Sequence, residues 1–418
     1  MKVWLLHIGE ELPVDGTTRL FRYGYLARAL TERGHQVLRW APTFRHVTKK
    51  FRFTTDVRVP VWENYSIQFV HSTGYRRNVG LDRLRAYRML DRRFRQLSAR
   101  EAPPDLIVAA IPSLEWAAAA TDFGKSHGIP VVIDVRDLWP DVFLNAFPKV
   151  ARPFGRILLG SYERIARRVC TRATALSAVS PSYLEWAVTK AGRQMRSTDQ
   201  VLPIGFEPET MSAKVANEHL AALRARGVDP AIPICVFSGL FERSYDLETV
   251  ISAARQLQEE RRAVAQFVFC GDGGKMPSLR RQAAGLKNIH FLGWVDAPTL
   301  QATLSASTIG LCAYADDALQ SWPNKPFEYM ASGLAVVSSL SGDMADLLNR
   351  HQCGVTYRAG NPSSLARCLS DLLHDSKKLS TVRSNAYQAW LQNYKSSDIY
   401  DRYVTRLEEI VRPIAKAA

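Results

Sequence analysis

Ser321-Trp322-Pro323-Asn324-Lys325-Pro326-Phe327-Glu328-Tyr329-Met330-Ala331-Ser332-Gly333-Leu334-Ala335-Val336-Val337-Ser338-Ser339 reads as a short helix, stopped by a glycine and followed at once by a buried strand. The two prolines favour a helix beginning near Pro326, where a missing amide hydrogen costs nothing, and Gly333 is a natural cap at its end. The run Leu334 to Val337 then has the apolar continuity of a parallel strand. Glu328 stands one turn into the helix. A helix N-terminus attracts phosphate, and a nearby carboxylate can accept two hydrogen bonds from a vicinal diol such as the 2′- and 3′-hydroxyls of a ribose. The stretch therefore looks like a nucleotide-sugar site, with Lys325 as a cation beside it.

Working outward, strands and helices alternate along the whole chain. Val3 to Ile8, a helix through Tyr25 to Leu30, the turn Arg33-Gly34-His35 and Val37 to Trp40 make a βαβ unit. Further strands are expected at Leu106–Ala110, Val131–Asp134 and Ala175–Val179. The pattern returns at Ile234–Ser238, Gln266–Cys270, His290–Leu292, Ile309–Ala313 and Val336–Ser338, with a helix through Leu247 to Gln258. The expectation is an α/β chain of two doubly wound parallel-sheet halves. Val201-Leu202-Pro203-Ile204-Gly205-Phe206-Glu207-Pro208 has the punctuation of a linker, and Tyr394 to Ala418 reads as helix. This gives domains at 1–205 and 206–393, with a terminal helix at 394–418.

The chain has 418 residues, 46% of them hydrophobic, which is enough for two cores. No apolar run approaches the roughly 18 residues of a membrane span, and the start is too soon acidic for a signal peptide, so a cytoplasmic protein is expected. Six cysteines form no CxxC pair and read as buried thiols, and the nine histidines show no metal-ligand spacing. Neither a bound metal nor a cofactor is expected. The net charge of +15 sits almost wholly in the first half: residues 1–205 hold 32 Lys and Arg against 18 Asp and Glu, and the remainder 23 against 22. Arg76, Arg77, Arg83, Arg85, Arg88, Arg92, Arg93, Arg95 and Arg100 are densest, interleaved with Tyr87, Phe94 and leucines on an expected amphipathic helix. Such a face either meets something anionic or is merely solvated. No nucleic-acid-binding pattern accompanies it, whereas an anionic membrane surface or a lipid-diphosphate acceptor suits the charge.

Two glycine turns sit where a parallel sheet presents its strand ends. Ser238-Gly239-Leu240-Phe241-Glu242-Arg243-Ser244-Tyr245-Asp246-Leu247 follows a strand and opens a helix, with Gly239 at the turn and Arg243 as candidate diphosphate ligand. Phe269-Cys270-Gly271-Asp272-Gly273-Gly274 is the second, placing Gly271 and Gly273 beside the first. Ile133-Asp134-Val135-Arg136-Asp137-Leu138-Trp139-Pro140-Asp141 ends a strand of the first half.

Together with Ile289-His290-Phe291-Leu292-Gly293-Trp294-Val295, these segments resemble, in order, the retaining glycosyltransferases of family four. The resemblance implies the GT-B architecture of two facing Rossmann-like domains, with the terminal helix crossing back onto the first. It implies that Glu328 holds the nucleotide ribose and that Trp294 and Val295 line the base pocket. It places Gln320, where the family has a glutamate, at the transferred sugar. Arg136 and Asp137 stand where many members have His-Asp approaching the donor sugar and phosphate. Two departures are plain: the usual arginine after the first glycine and the lysine five residues on are here Leu240 and Tyr245, which leaves Arg243 and Lys325 to supply the cations. The Arg-Asp-Leu-Trp-Pro-Asp run, with Tyr25-Leu26-Ala27, Ala41-Pro42-Thr43-Phe44-Arg45-His46 and Ser72-Thr73-Gly74-Tyr75, resembles a bacterial branch that builds O-antigens, capsules and exopolysaccharides.

The function implied is metal-independent, retaining transfer of a sugar from a nucleotide diphosphate, expected to be UDP-linked, to a polyprenyl-diphosphate-linked or saccharide acceptor at the inner face of the cell membrane. The expected partners are the nucleotide sugar, that acceptor and the anionic membrane surface, with no nucleic acid. Arg243, Lys325, Asp137 and Arg136 are the expected catalytic residues. Gly239, Gly271, Gly273, Trp294, Val295, Gln320 and Glu328 are the expected donor contacts. A GT-B sugar-nucleotide 2-epimerase and a non-enzymatic basic binding protein remain as alternatives.

Overall fold

The computed structural model describes residues 1–16, 20–77, 80–209, 211–260 and 264–415. Two compact units divide the chain: Met1–Pro203 together with the terminal Ser397–Ala418, and Ile204–Ser396.

The first unit is built on an eight-stranded sheet of β1 (Lys2–Leu6), β2 (Gln36–Pro42), β3 (Val57–Trp62), β4 (Tyr65–Val70), β5 (Leu106–Ile111), β6 (Val131–Val135), β7 (Ala175–Ala178) and β8 (Gln200–Val201). Their spatial order is β3-β4-β2-β1-β5-β6-β7-β8, parallel throughout except for the antiparallel pair β3 and β4. The central strands are buried from end to end, β5 as Leu-Ile-Val-Ala-Ala-Ile, because helices cover both faces of such a sheet. The hairpin β3–β4 is an addition that the alternation of strands and helices does not announce. Pro60 lies in β3, at the sheet edge beside a register shift, where a missing amide hydrogen is tolerated. Asn64 turns the hairpin with φ of 60°.

The second unit holds six parallel strands, β9 (Ile234–Ser238), β10 (Gln266–Cys270), β11 (Ile289–Gly293), β12 (Ile309–Cys312), β13 (Ala335–Ser338) and β14 (Gly354–Thr356), ordered β11-β10-β9-β12-β13-β14. Their shared core joins Phe237, Phe267 and Phe269 to Leu247, Val250 and Ile251 of the helix Leu247–Glu259. Both units are Rossmann-like, and the architecture is that of the GT-B class.

The helix of the opening stretch runs Asn324–Ala331, two residues earlier than the prolines suggest, because Pro323 takes the cap position and Pro326 fits inside the first turn. It ends as a Schellman motif. The Leu334 amide donates to the Tyr329 carbonyl at 3.0 Å and the Gly333 amide to Met330 at 3.0 Å, with Gly333 at φ of 67°. The chain ends in a helix, Ser396–Ala415, and the remaining residues to Ala418 lie outside the described ones. In the first unit Tyr400 of this helix stacks on Tyr25 at 5.5 Å, Tyr403 shares a hydrogen bond with Ser177 at 3.0 Å, and Glu408 meets His35 at 2.8 Å.

Candidate functional site

In the second unit β9 and β10 end side by side, and their loops pack backbone on backbone. The Gly239 amide donates to the Cys270 carbonyl at 2.8 Å and the Gly271 amide to the Gly293 carbonyl at 2.7 Å. A Cβ on Gly271 would stand 1.8 Å from the Gly239 carbonyl oxygen, so no other residue fits there. The Gly273 amide is taken by the Asp272 carboxylate at 2.7 Å. The amides of Gly239, Gly271 and Gly273 are thus committed within the protein, and what the glycines supply is close approach.

That closeness admits Lys325. Its ammonium lies 2.6 Å from where a Cβ on Gly239 would be, has no carboxylate within ion-pair distance among the described residues, and donates to the Tyr245 hydroxyl at 2.7 Å. The rings of Tyr245 and Phe237 face it at 4.2 and 5.1 Å. Lys325 is buried, and a buried ammonium that meets rings and a hydroxyl but no carboxylate among the described residues gains from an anionic partner. Glu328 follows one turn later on the same helix, and is also buried. Tyr245, which replaces the motif's lysine, is the anchor of another lysine 80 residues away.

The other donor-side candidates are arranged differently. Arg243 is 94% exposed at its side chain and touches only Asp317, at 3.8 Å, among described carboxylates. Such a solvated arginine is not preorganised, so the built cation of this unit is Lys325. Trp294, 75% exposed, follows the end of β11 with half-buried Val295 beside it. Gln320 is exposed in the segment between β12 and the helix Asn324–Ala331. Among the described residues, no hydrogen bond, ion pair or ring contact joins Arg243, Trp294 or Gln320 to Lys325.

The first unit carries a separate polar cluster at its strand ends. Arg136, just after β6, donates to Glu10 Oε1 at 2.6 Å and to His7 Nε2 at 2.8 Å. Arg39 of β2 holds the other Glu10 oxygen at 3.0 Å, and the Tyr23 amide donates to the same oxygen at 3.1 Å. Glu10 is 3% exposed at its side chain. Burial first, then the charges of Arg136, Arg39 and Arg22, holds the His7 imidazole well below its usual pKa, as an acceptor for Arg136 requires. Arg136, expected to approach the donor sugar and phosphate, is thus already paired with a carboxylate and an imidazole within its own unit. Behind it, Arg22 clamps Asp134 of β6 through two bonds of 2.6 and 2.7 Å and also donates to the Leu202 carbonyl at 2.6 Å. Asp137 accepts from the Leu138 amide at 3.0 Å, and burial raises its pKa against the opposing pull of that bond, Arg83 and Arg136. No α-helix begins there; a 3-10 turn, Asp141–Ala146, follows. His7 and Glu10 were not anticipated. The available signal was their position, polar residues directly after the apolar run of β1.

Two Rossmann-like units, each with a polar cluster at its strand ends, make up the α/β architecture of the GT-B class. The comparisons agree. Residues 22–202 match the glycosyl transferase 4-like domain and residues 232–375 match the glycosyl transferases group 1 domain, so the chain carries both domains of these enzymes. It is 24% identical over 277 residues to sulfoquinovosyl transferase SQD2 of Arabidopsis thaliana, a match spanning 65% of this chain and 50% of that protein's length. Among solved structures, sucrose-phosphate synthase of Thermosynechococcus elongatus superposes with a TM-score of 0.71 at 14% identity over 100% of both chains. The Anabaena HepE protein in complex with UDP gives 0.69 at 16% identity, over 98% of this chain and 100% of that one.

Proposed function

We propose that the protein transfers a sugar from a UDP-linked donor, with retention at the anomeric carbon, to a polyprenyl-diphosphate-linked or saccharide acceptor in the assembly of bacterial cell-surface polysaccharide. The observation that carries this reading is the Lys325 ammonium, buried beside Gly239 with aromatic and hydroxyl neighbours. The donor diphosphate neutralises it, and Glu328 takes the ribose hydroxyls. HepE, similar in fold, is described in complex with UDP, which supports that carrier.

In the reaction the anomeric carbon's bond to the diphosphate breaks and a bond to the acceptor oxygen forms on the same face. The acceptor proton passes to the departing phosphate oxygen. Negative charge grows on the diphosphate, and Lys325 with the helix N-terminus at Asn324 stabilises it, the task a metal performs elsewhere. Arg243 adds a second, mobile cation. Gln320 serves the sugar as a neutral hydrogen-bonding group, and Trp294 with Val295 serves the base. Arg136 and Asp137 are the first unit's candidates for contact with the sugar and phosphate. An acceptor carried on lipid calls for association with an anionic inner-membrane surface. Among the described residues no helix is long and apolar enough to cross a membrane.

The deciding experiment offers a panel of nucleotide sugars with membrane lipid extract and follows products by mass spectrometry, with nucleoside diphosphate release measured in parallel. Mass gain on a lipid or saccharide with stoichiometric release is expected, and it should survive a chelator. Conversion of the free nucleotide sugar to its epimer, without transfer, would establish an epimerase instead. Loss of transfer on chelation, restored by magnesium or manganese, would overturn the metal-free chemistry.

A further inference from the structure

The short helix Arg152–Leu158 of the first unit leaves an apolar ridge in water. Val150 is 92% exposed, Phe154 66%, Ile157 78% and Leu158 64%. Positions 154, 157 and 158 share one face of the helix, and Val150 precedes them in the turn that leads into it. Elsewhere among the described residues, exposed large apolar side chains stand singly or in pairs along the sequence. A gathering of four within nine positions marks an interaction surface.

The ridge is fastened from below. Gly155 is buried against the Phe147 ring, whose nearest carbon would lie 3.0 Å from a Cβ there. The preceding 3-10 turn is held at Asp141, which accepts from Trp186 at 2.7 Å and from Lys190 at 3.2 Å. Beyond Leu158 the chain enters the helix Gly160–Arg172, anchored by buried Ala166, Val169 and Cys170. The opposite side of this second helix exposes Arg164, Arg167 and Arg168. From 149 to 172 the sequence holds seven Lys and Arg and one carboxylate, Glu163.

The arginine helix Leu81–Ser98 is a poorer docking face than its sequence suggests. Arg93 pairs with Asp56, Arg95 with Asp91 and Asp122 at 3.0 Å each, and Arg83 lies over Trp139 at 4.7 Å and Tyr87 at 5.1 Å. Arg85, Arg88 and Arg92 stay exposed, with Leu81 as the helix's one large exposed apolar residue among those described.

We propose that the ridge Val150, Phe154, Ile157 and Leu158 is a membrane-inserting element, seated in the headgroup region of an anionic bilayer with the flanking arginines on lipid phosphates. Backbone bonds continue from this helix into the next, the Leu159 amide donating to the Gly155 carbonyl at 2.9 Å and the Glu163 amide to that of Leu159 at 2.9 Å, so shallow insertion, to a depth of about 5 to 10 Å, places chiefly the apolar side chains in the bilayer. Charge complementarity selects the anionic bilayer, since a cation-rich border around an apolar face repels a second copy of itself. The inference rests on the reading that the acceptor is presented at a membrane, but its test uses no sugar transfer.

Co-sedimentation with vesicles of phosphatidylcholine and phosphatidylglycerol, and of phosphatidylcholine alone, compares the parent with two variants. One combines Phe154→Ser, Ile157→Ser and Leu158→Ser; the other combines Arg85→Glu, Arg88→Glu and Arg92→Glu. The parent should bind the mixed vesicles. The serine variant should lose on the order of tenfold or more in partitioning at low and high salt alike, with its melting temperature and nucleoside diphosphate binding unchanged. The glutamate variant should weaken mainly at low salt. In a Cys368→Ser background, an environment-sensitive dye on Ile157→Cys should shift its emission to the blue on mixed vesicles. The proposal is overturned if the serine variant sediments like the parent, if the parent binds neither vesicle, or if the parent is a dimer that these serines dissolve without altering sedimentation. Active transfer by a protein that binds no vesicle defeats this inference alone. Ridge-dependent binding without transfer defeats the transferase reading alone.

Discussion

Both units set a cation at a strand-end loop, and they treat it in opposite ways. In the first, Arg136 is tied to Glu10 and His7, and Arg39 shares the same carboxylate. In the second, Lys325 is buried against Tyr245 and Phe237 with no carboxylate partner among the described residues. The strongly basic half therefore pairs its strand-end arginines with a shared buried carboxylate, while the near-neutral half buries a lysine with no such partner among the described residues. Net charge describes long-range attraction; the local balance of partners decides where a phosphate can settle.

The largest expected effect tests the paired arginines. Glu10→Ala removes the carboxylate shared by Arg136 and Arg39 and leaves two cations without it, one of them 1% exposed at its side chain. Breaking such a pair costs about 3 to 5 kcal/mol. Urea unfolding should register this loss, while the folded fraction still binds nucleoside diphosphate with parental affinity. A stable Glu10→Ala protein with impaired nucleotide binding would reverse the roles assigned to the two clusters.

Next comes the buried lysine. Lys325→Met should weaken nucleoside diphosphate binding by about 2 to 3 kcal/mol and reduce turnover further, because charge on the diphosphate grows in the transition state. Calorimetry with UDP checks the first and steady-state kinetics the second. Glu328→Ala should cost about 1 to 3 kcal/mol with UDP and much less with a dideoxyribose analogue, which lacks the hydroxyls to lose. Equal losses with both ligands would take Glu328 away from the ribose.

The same contrast explains what was legible beforehand. The helix at Glu328, its stop at Gly333 and the strand after it depend on neighbouring residues, and local chemistry is written in order along the chain. The β3–β4 hairpin escaped notice because Pro60 speaks against a strand, and only its place at the sheet edge makes it acceptable. The candidate site divides likewise. Gly239, Gly271 and Lys325 are legible as candidates from turns and helix starts, whereas the bond of Tyr245 to Lys325, and that of Arg136 to Glu10 126 residues earlier, are not. Pairings that depend on which strands end beside each other require the topology first. Arg243 failed to stand out structurally for the converse reason: its residue type and position are right for a phosphate ligand, but its side chain is held by almost nothing.

The smallest effect sharpens the comparison at one more point of the basic unit, where burial and two cations bear on a histidine. His46 donates to or accepts from the Tyr75 hydroxyl at 2.6 Å, and burial first, then Lys49 and Arg83, brings its pKa down to about 4 from 6.5. The unfolded chain therefore takes up a proton near pH 6.5 that the folded chain refuses until about pH 4. Stability from this group is complete above pH 6.5 and is lost as pH falls through that window. Because the ring is partly open to solvent, solvent screening reduces the loss to about 1 kcal/mol. Urea unfolding at pH 7 and again near pH 4.5 should show the parent losing that much more than His46→Gln. Equal losses in the two proteins would mean that Lys49 and Arg83 are screened from His46, and that the first unit's excess charge is felt only at long range.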